Sequence, residues 1–145
     1  MAARTAGMIK YNNDKKFDFV IDLQEGQEGE SQVAEILSGK LGPVEVKTEV
    51  DMWYKTRNIV FEIFCYNKPS GITATEAVWW VQIFKLNGQS KSIHIWPVVE
   101  LKKRLMLAQE RGWLRRVKGG ENMASDMLLY PIEKLWFLDG LEDKK

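Results

Sequence analysis

The chain is poor in the side chains that carry soft-metal and covalent chemistry. Its 145 residues include one cysteine, Cys65, and one histidine, His94. A single thiol excludes an internal disulfide and any cysteine-cluster zinc site. A single imidazole excludes a histidine-rich metal centre and argues against a histidine-based triad. Ser70, in Pro69-Ser70-Gly71, is accordingly read as turn chemistry and not as a nucleophile. Neither a secretory-signal pattern nor an apolar run long enough to span a bilayer occurs, so the expected setting is cytoplasmic, without a membrane partner. An excess of one charge sign is also lacking, since 21 Lys+Arg face 20 Asp+Glu for a formal net charge of +1. Bulk electrostatics therefore selects no class of partner. The chemistry must rest on carboxylates, lysine and a hard cation.

What the chain does have is apolar mass. Hydrophobic residues make up 45%, with six Trp, six Phe and four Tyr, enough to fill one core, and one domain is expected over 1–145 with a loose polar arm at 1–16. The charges, though balanced, are segregated. Asp18, Asp22, Glu25, Glu28, Glu30 and Glu35 occur in a stretch without Lys or Arg. Lys102, Lys103, Arg104, Arg111, Arg115, Arg116 and Lys118 follow later against the single acid Glu110. An acidic half beside a basic half suits an enzyme acting on a polyanion, and equally describes two solvated surfaces.

Hydrophobic periodicity predicts a short strand over 17–23 and a helix over 27–37, with Val33, Ala34, Ile36 and Leu37 as its apolar face. Strands are expected at 44–53 and 58–66, joined as a hairpin through 54–57, the second being central because nearly every position is apolar. Lys68-Pro69-Ser70-Gly71 reads as a turn. A helix capped by Thr73 or Thr75 is expected to run to about Phe84, with Asn87-Gly88 closing it. A strand at 92–98, a basic helix at 99–111, a loop at Gly119-Gly120, an edge strand at 128–131 and a helical turn at 131–138 complete the order. The fold class is α/β (α+β), a mixed central sheet flanked by helices.

Val44-Glu45-Val46-Lys47-Thr48-Glu49 is the most informative stretch. Glu45 and Lys47 point to the same side of a strand, and Glu49 continues that face. An acid there can hold a divalent metal, and the ammonium beside it can orient a water or steady a phosphate oxygen. Glu62 interrupts an otherwise apolar strand, where a carboxylate costs several kcal/mol unless it has a partner. Pairing the two strands would bring Glu62 beside Glu45 or Glu49, and Glu30 on the first helix offers a further carboxylate. The same residue types also decorate solvated strand and helix faces. Of Trp79-Trp80, one is expected in the core and the other at an edge or a dimer contact. His94 is expected on a polar strand face.

From Phe17 to Trp80 the chain also resembles a family, the small phage-encoded PD-(D/E)XK nucleases related to Holliday-junction resolvases. The likeness runs through Gly29-Glu30, then Val44-Glu45-Val46-Lys47-Thr48-Glu49, then Thr56-Arg57-Asn58-Ile59-Val60-Phe61-Glu62, then Lys68-Pro69-Ser70-Gly71-Ile72, and ends at Thr75-Glu76-Ala77-Val78-Trp79-Trp80. It implies a restriction-endonuclease-like core with Glu30, Glu45 and Lys47 at active positions, and with Glu62 and Ser70-Gly71-Ile72 at further recurrent ones. The chain departs from the pattern twice. An Asp usual on a strand before Glu-x-Lys is absent, and Arg57 stands where a glycine is usual. Three readings account for the missing Asp: Glu62 replaces it, Asp22 or Glu49 supplies it, or the site is degenerate.

The implied function is a Mg²⁺- or Mn²⁺-dependent endodeoxyribonuclease, with branched, Holliday-junction-like DNA as a candidate substrate. Glu45, Glu62, Glu30 and Glu49 would be the metal carboxylates and Lys47 the catalytic cation. Lys102, Lys103, Arg104, Arg111, Arg115 and Arg116 would track the DNA backbone. A homodimer is expected, in the host cytoplasm if the chain is phage-encoded. The alternatives are a catalytically degenerate DNA-binding or assembly module of the same fold, and a structural protein whose charged faces meet protein partners.

Overall fold

A computed structural model describes residues 19–134, with side chains from residue 23 onward. The arm expected at 1–16 lies outside the described residues, as do residues 17 and 18 and the last part of the turn expected at 131–138. Backbone contacts divide the chain into two units, 1–34 and 35–145, of which 19–34 and 35–134 are described.

The first unit contributes most of α1 (Phe19–Leu37), which ends in the second. The strand expected at 17–23 is corrected, because residues from Phe19 onward are already helical. Gly26 and Gly29, read as punctuation, sit inside the helix. Each costs only about 1 kcal/mol relative to alanine, which the surrounding Gln, Glu and Leu residues offset.

The second unit is built from β1 (Val44–Val50), α2 (Met52–Thr56), β2 (Asn58–Cys65), β3 (Lys68–Pro69), β4 (Trp79–Leu86), β5 (Gln89–Pro97), α3 (Val98–Glu110), β6 (Arg115–Gly119) and β7 (Ser125–Pro131), with short 3-10 turns at Gly71–Thr73, Glu121–Met123 and Ile132–Lys134. The protein is thus mixed α+β, with two sheets where one was expected: a three-stranded sheet in the order β1-β4-β5 and a four-stranded one in the order β3-β2-β7-β6.

Several sequence expectations change at this point. β1 and β2 do not form a hairpin; β1 runs parallel to β4, and α2 carries the chain from one sheet to the other. The helix expected up to Phe84 is strand β4. Its Trp80, Val81, Gln82 and Phe84 are all buried, and a short run buried on both faces fits a central strand as well as a helix. Asn87 and Gly88, at φ +51° and +78°, then make the two-residue hairpin turn into β5 instead of ending a helix. β7 is not an edge; it lies between β2 and β6, and β6 occupies part of what was read as loop. Arg57 takes φ +59° at the end of α2, the left-handed backbone that favours glycine. Arg57 therefore keeps the turn that a glycine would make, and its guanidinium rests 4.8 Å from the Tyr54 ring centroid.

Strand alternation fills the core. Ile59, Phe61 and Ile63 of β2 are buried, joined by Trp80 and Phe84 of β4, Leu101 and Leu105 of α3, and Tyr130 of β7. Phe61 joins the sheets: its ring centroid lies 5.9 Å from that of Trp80 and 6.3 Å from that of Tyr130. Trp80 is the core member of the Trp pair, whereas Trp79, next in β4 and on its other face, donates from Nε1 to the Leu41 carbonyl at 3.1 Å. His94 lies between Phe84 and Trp96 rather than on an open polar face, and burial pushes its imidazole pKa down.

Candidate active site

Register decides which way the Glu-x-Lys face points. Glu45, Lys47 and Glu49 pair with Trp80, Gln82 and Phe84 on β4, and residues opposite one another in a ladder project to the same face. Those three β4 residues are buried. The charged face of β1 is therefore the inner face of an edge strand, turned towards the second sheet. There it meets an exposed backbone edge, because β3 pairs with β2 only at Phe64 and Cys65. Glu49 covers part of that edge, its Oε1 accepting a hydrogen bond from the Val60 N–H at 2.8 Å. Left open, such an edge would offer a template for strand pairing.

Lys47 pairs with one carboxylate and acts on a second through its charge. Its Nζ is 2.8 Å from Glu45 Oε1, and its charge also acts on Glu62. The Thr75 hydroxyl donates to the other Glu45 oxygen, Oε2. On Glu62, the Ser70 hydroxyl donates to Oε1 and the Ser125 hydroxyl donates to Oε2 at 2.7 Å. Gly71 makes the Ser70 contact possible. It has φ +53°, and a Cβ there would sit 2.3 Å from the Glu62 carbonyl oxygen. The Lys47 ammonium also stands 5.9 Å from the Trp80 ring centroid. Gln82, its neighbour in the ladder, is buried; its Oε1 accepts from Trp80 Nε1 at 3.0 Å, and its Nε2 has no partner among the described residues.

These contacts set the acidities. Hydrogen bonds from Ser70 and Ser125 hold the Glu62 carboxyl below its usual range, burial opposes them, and the Lys47 charge adds to the lowering. For Glu45, burial raises the pKa, but the Lys47 and Thr75 hydrogen bonds and the Lys47 charge outweigh it, and the net shift is downward. Glu49 goes the other way, because burial raises it more than the Val60 N–H lowers it. The first two carboxylates are thus kept ionised and the third is disfavoured as an anion.

A pH prediction follows from the sign of these shifts. A lowered folded-state pKa contributes stability above the ordinary carboxyl value of 4.5, and that contribution is lost as pH falls through the folded value below it. Glu49, with its raised value, opposes this trend. Melting temperature should therefore drop as pH falls below about 4.5, and more shallowly in Glu62→Gln than in the wild type. Equal slopes in a thermal scan from roughly pH 6 to pH 3 would remove Glu62 from this account.

The remaining sequence candidates separate. Glu30 is exposed on α1 in the first unit, whereas Glu45, Lys47 and Glu62 all belong to the second. Asp22 is helical, and its side chain lies outside the described residues. Among the described residues, no group of three or more His, Cys, Asp or Glu side chains is arranged to hold a metal ion. The basic residues do not form one stripe. Lys102 and Arg116 line a cavity of about 520 Å³ between α3 and the four-stranded sheet. Arg116 also pairs with Asp126 at 3.0 Å. Arg115, its neighbour on β6, alternates to the other face and lines a second cavity together with Glu49. Lys103 pairs with Glu100 at 3.1 Å, and Arg104 lies beside Tyr130.

Compared with protein-family models, with curated proteins and with solved structures, the chain matches none. Among the described residues, no helix is long and apolar enough to cross a membrane. Sequence reasoning missed Thr75 and Ser125 as partners of the two glutamates. Thr75 stood in a motif but was read as a helix cap, and nothing near Ser125 in the sequence marks it.

Proposed function

We propose that this chain is a divalent-metal-dependent endodeoxyribonuclease centred on Glu45, Lys47 and Glu62. One observation carries the proposal: a single ammonium pairs with Glu45 at 2.8 Å and its charge also acts on Glu62, both carboxylates being held below their usual pKa. Two carboxylates fit Mg²⁺ or Mn²⁺, which are commonly bound through one or two carboxylates, with water and substrate phosphate completing the shell. Glu45 and Glu62 would hold the ion. When bound, it supplies Lewis-acid charge at the phosphate and acidifies its water. Ser70, Thr75 and Ser125 keep the carboxylates oriented, each oxygen retaining a lone pair beyond the one its hydroxyl partner uses. Lys47 exchanges its Glu45 contact for the substrate, donating to a phosphate oxygen as negative charge builds there.

The resemblance to the phage-encoded PD-(D/E)XK nucleases supports this reading, with Glu62 standing in for the missing Asp. On the same reading two copies would face branched DNA, in the cytoplasm. The alternative is a DNA-binding module that has lost catalysis. The experiment that separates them incubates purified protein and Mn²⁺ with linear, nicked, four-way and single-stranded DNA. Cleavage abolished by EDTA is expected. DNA bound in EDTA but left whole under every metal selects the second reading. DNA neither bound nor cut rejects both.

A further inference from the structure

The cavity of about 520 Å³ between α3 and the four-stranded sheet lies within the range of about 300–1,000 Å³ typical of ligand sites. Its walls follow from periodicity. Lys102, Leu105, Met106 and Gln109 recur at the three- and four-residue spacing of one helix face, so α3 supplies one wall as a single stripe. Arg116 of β6 and Leu128 of β7 are opposite each other in their ladder and share a face of the sheet, which supplies the other wall.

The interior is apolar. Ile63, Ile72 and Leu105 are buried, and Met106, 64% exposed, is a lining residue open to water. The Thr73 hydroxyl is already engaged, donating to the Ile63 carbonyl and accepting from the Ser70 N–H at 3.1 Å. Charge enters the lining through Lys102 and Arg116, with no acid beside them among the described residues. Arg116 is positioned from two sides: Nη2 donates to Asp126 at 3.0 Å, and the guanidinium rests 5.7 Å from the Phe64 ring centroid. Its ion pair does not neutralise the wall. Lys118 Nζ meets the other Asp126 oxygen at 2.7 Å, so two cations share one carboxylate.

Such a lining fits an amphipathic anion. A hydrocarbon body would cover Ile72, Leu105 and Leu128, and one carboxylate would answer the two cations. A guanidinium presents five N–H donors as a rigid fork, the geometry that matches a carboxylate. An uncharged hydrocarbon would leave the cations unmatched. A DNA backbone, the partner expected for Lys102 and Arg116 from the sequence, would meet the cations but cover none of the apolar wall.

We infer that this cavity binds a free fatty-acid-type carboxylate, its chain between α3 and the sheet and its head at Lys102 and Arg116. The inference is independent of the nuclease reading, since Glu45, Lys47 and Glu62 do not line the cavity.

The test titrates decanoate, below its micelle concentration, into the full chain by isothermal calorimetry, with decanol and acetate as controls. Decanoate should bind saturably, one per chain, at least about tenfold more tightly than either control, the margin that a charged hydrogen bond or a buried chain supplies. Lys102→Met keeps a flexible stem but drops the charge, so it should erase most of the advantage over decanol while decanol binds as before. Met106→Trp, at its exposed position, should block both chain ligands without moving the melting temperature. Decanoate bound no better than decanol, or bound equally by the wild type and Met106→Trp, overturns the inference. Binding to anionic vesicles with none to monomeric decanoate also overturns it and assigns the face to a membrane surface. A Lys102→Met protein that loses affinity for duplex DNA, with decanoate unbound by the wild type, overturns it in favour of the phosphate backbone.

Discussion

Lys47→Ala should lower metal-dependent DNA cleavage by about 10²- to 10³-fold, the scale seen when one preorganised donor to developing charge is removed. Stability should barely change. The Lys47 side chain is 48% exposed and its ion pair with Glu45 lies at an open strand edge, and pairs of that kind contribute about 0–1 kcal/mol. The loss is chemical because Lys47 is the cation paired with Glu45, its charge also acting on Glu62, and a hydroxyl cannot replace a full positive charge. Single-turnover cleavage of branched DNA with Mn²⁺, measured beside the melting temperature, checks both halves. Lys47→Arg should recover part of the rate, since it keeps the charge but spreads it over a planar fork. A Lys47→Ala protein that cuts as fast as the wild type would reject the assigned site.

Phe61→Ala should have the opposite profile, a large loss of stability through no contact with any ligand. Phe61 is 1% exposed and its ring touches Trp80 of one sheet and Tyr130 of the other. Truncating a buried phenylalanine costs about 3–5 kcal/mol, from lost transfer energy and the cavity left behind. Against a typical net stability of about 5–15 kcal/mol, that removes a large share. Urea denaturation should register a loss of at least about 3 kcal/mol, and Phe61→Leu a much smaller one. A change below about 1 kcal/mol would mean that the sheets do not depend on this contact. Because β2 also carries Glu62, cleavage by Phe61→Ala should fail on warming, well before the wild type fails.

The two profiles also mark what could be read from residue order. Lys47 was legible, because alternation along a strand places Glu45 and Lys47 on one side whatever that strand pairs with. So was the weight given to Glu62, a carboxylate in an apolar run. Its partners were not legible. Ser70 is eight residues away along the chain and Ser125 is 63, and they meet Glu62 only because Gly71 folds against β2 and β7 pairs with it. The helix expected up to Phe84 failed for a related reason. Trp80, Val81, Gln82 and Phe84 are buried on both faces of a central strand, and a run without alternation has no period to separate strand from helix.

By itself, then, the sequence determined the local facts: an α+β class, the strands β1 and β2, the basic helix α3, and a carboxylate and an ammonium on the same side of β1. Each follows from side-chain geometry within a few residues. The tertiary structure alone decided that β1 pairs with β4 rather than β2, that the strands divide into two sheets, and that the Lys47 charge acts on Glu62 of the other sheet. Those choices depend on which pairing buries Trp80, Phe61 and Tyr130 together. Closing a longer loop adds little further cost, so neighbouring strands need not be partners. Only the three-dimensional packing could turn Val44-Glu45-Val46-Lys47 from a pattern on an edge strand into part of a candidate site.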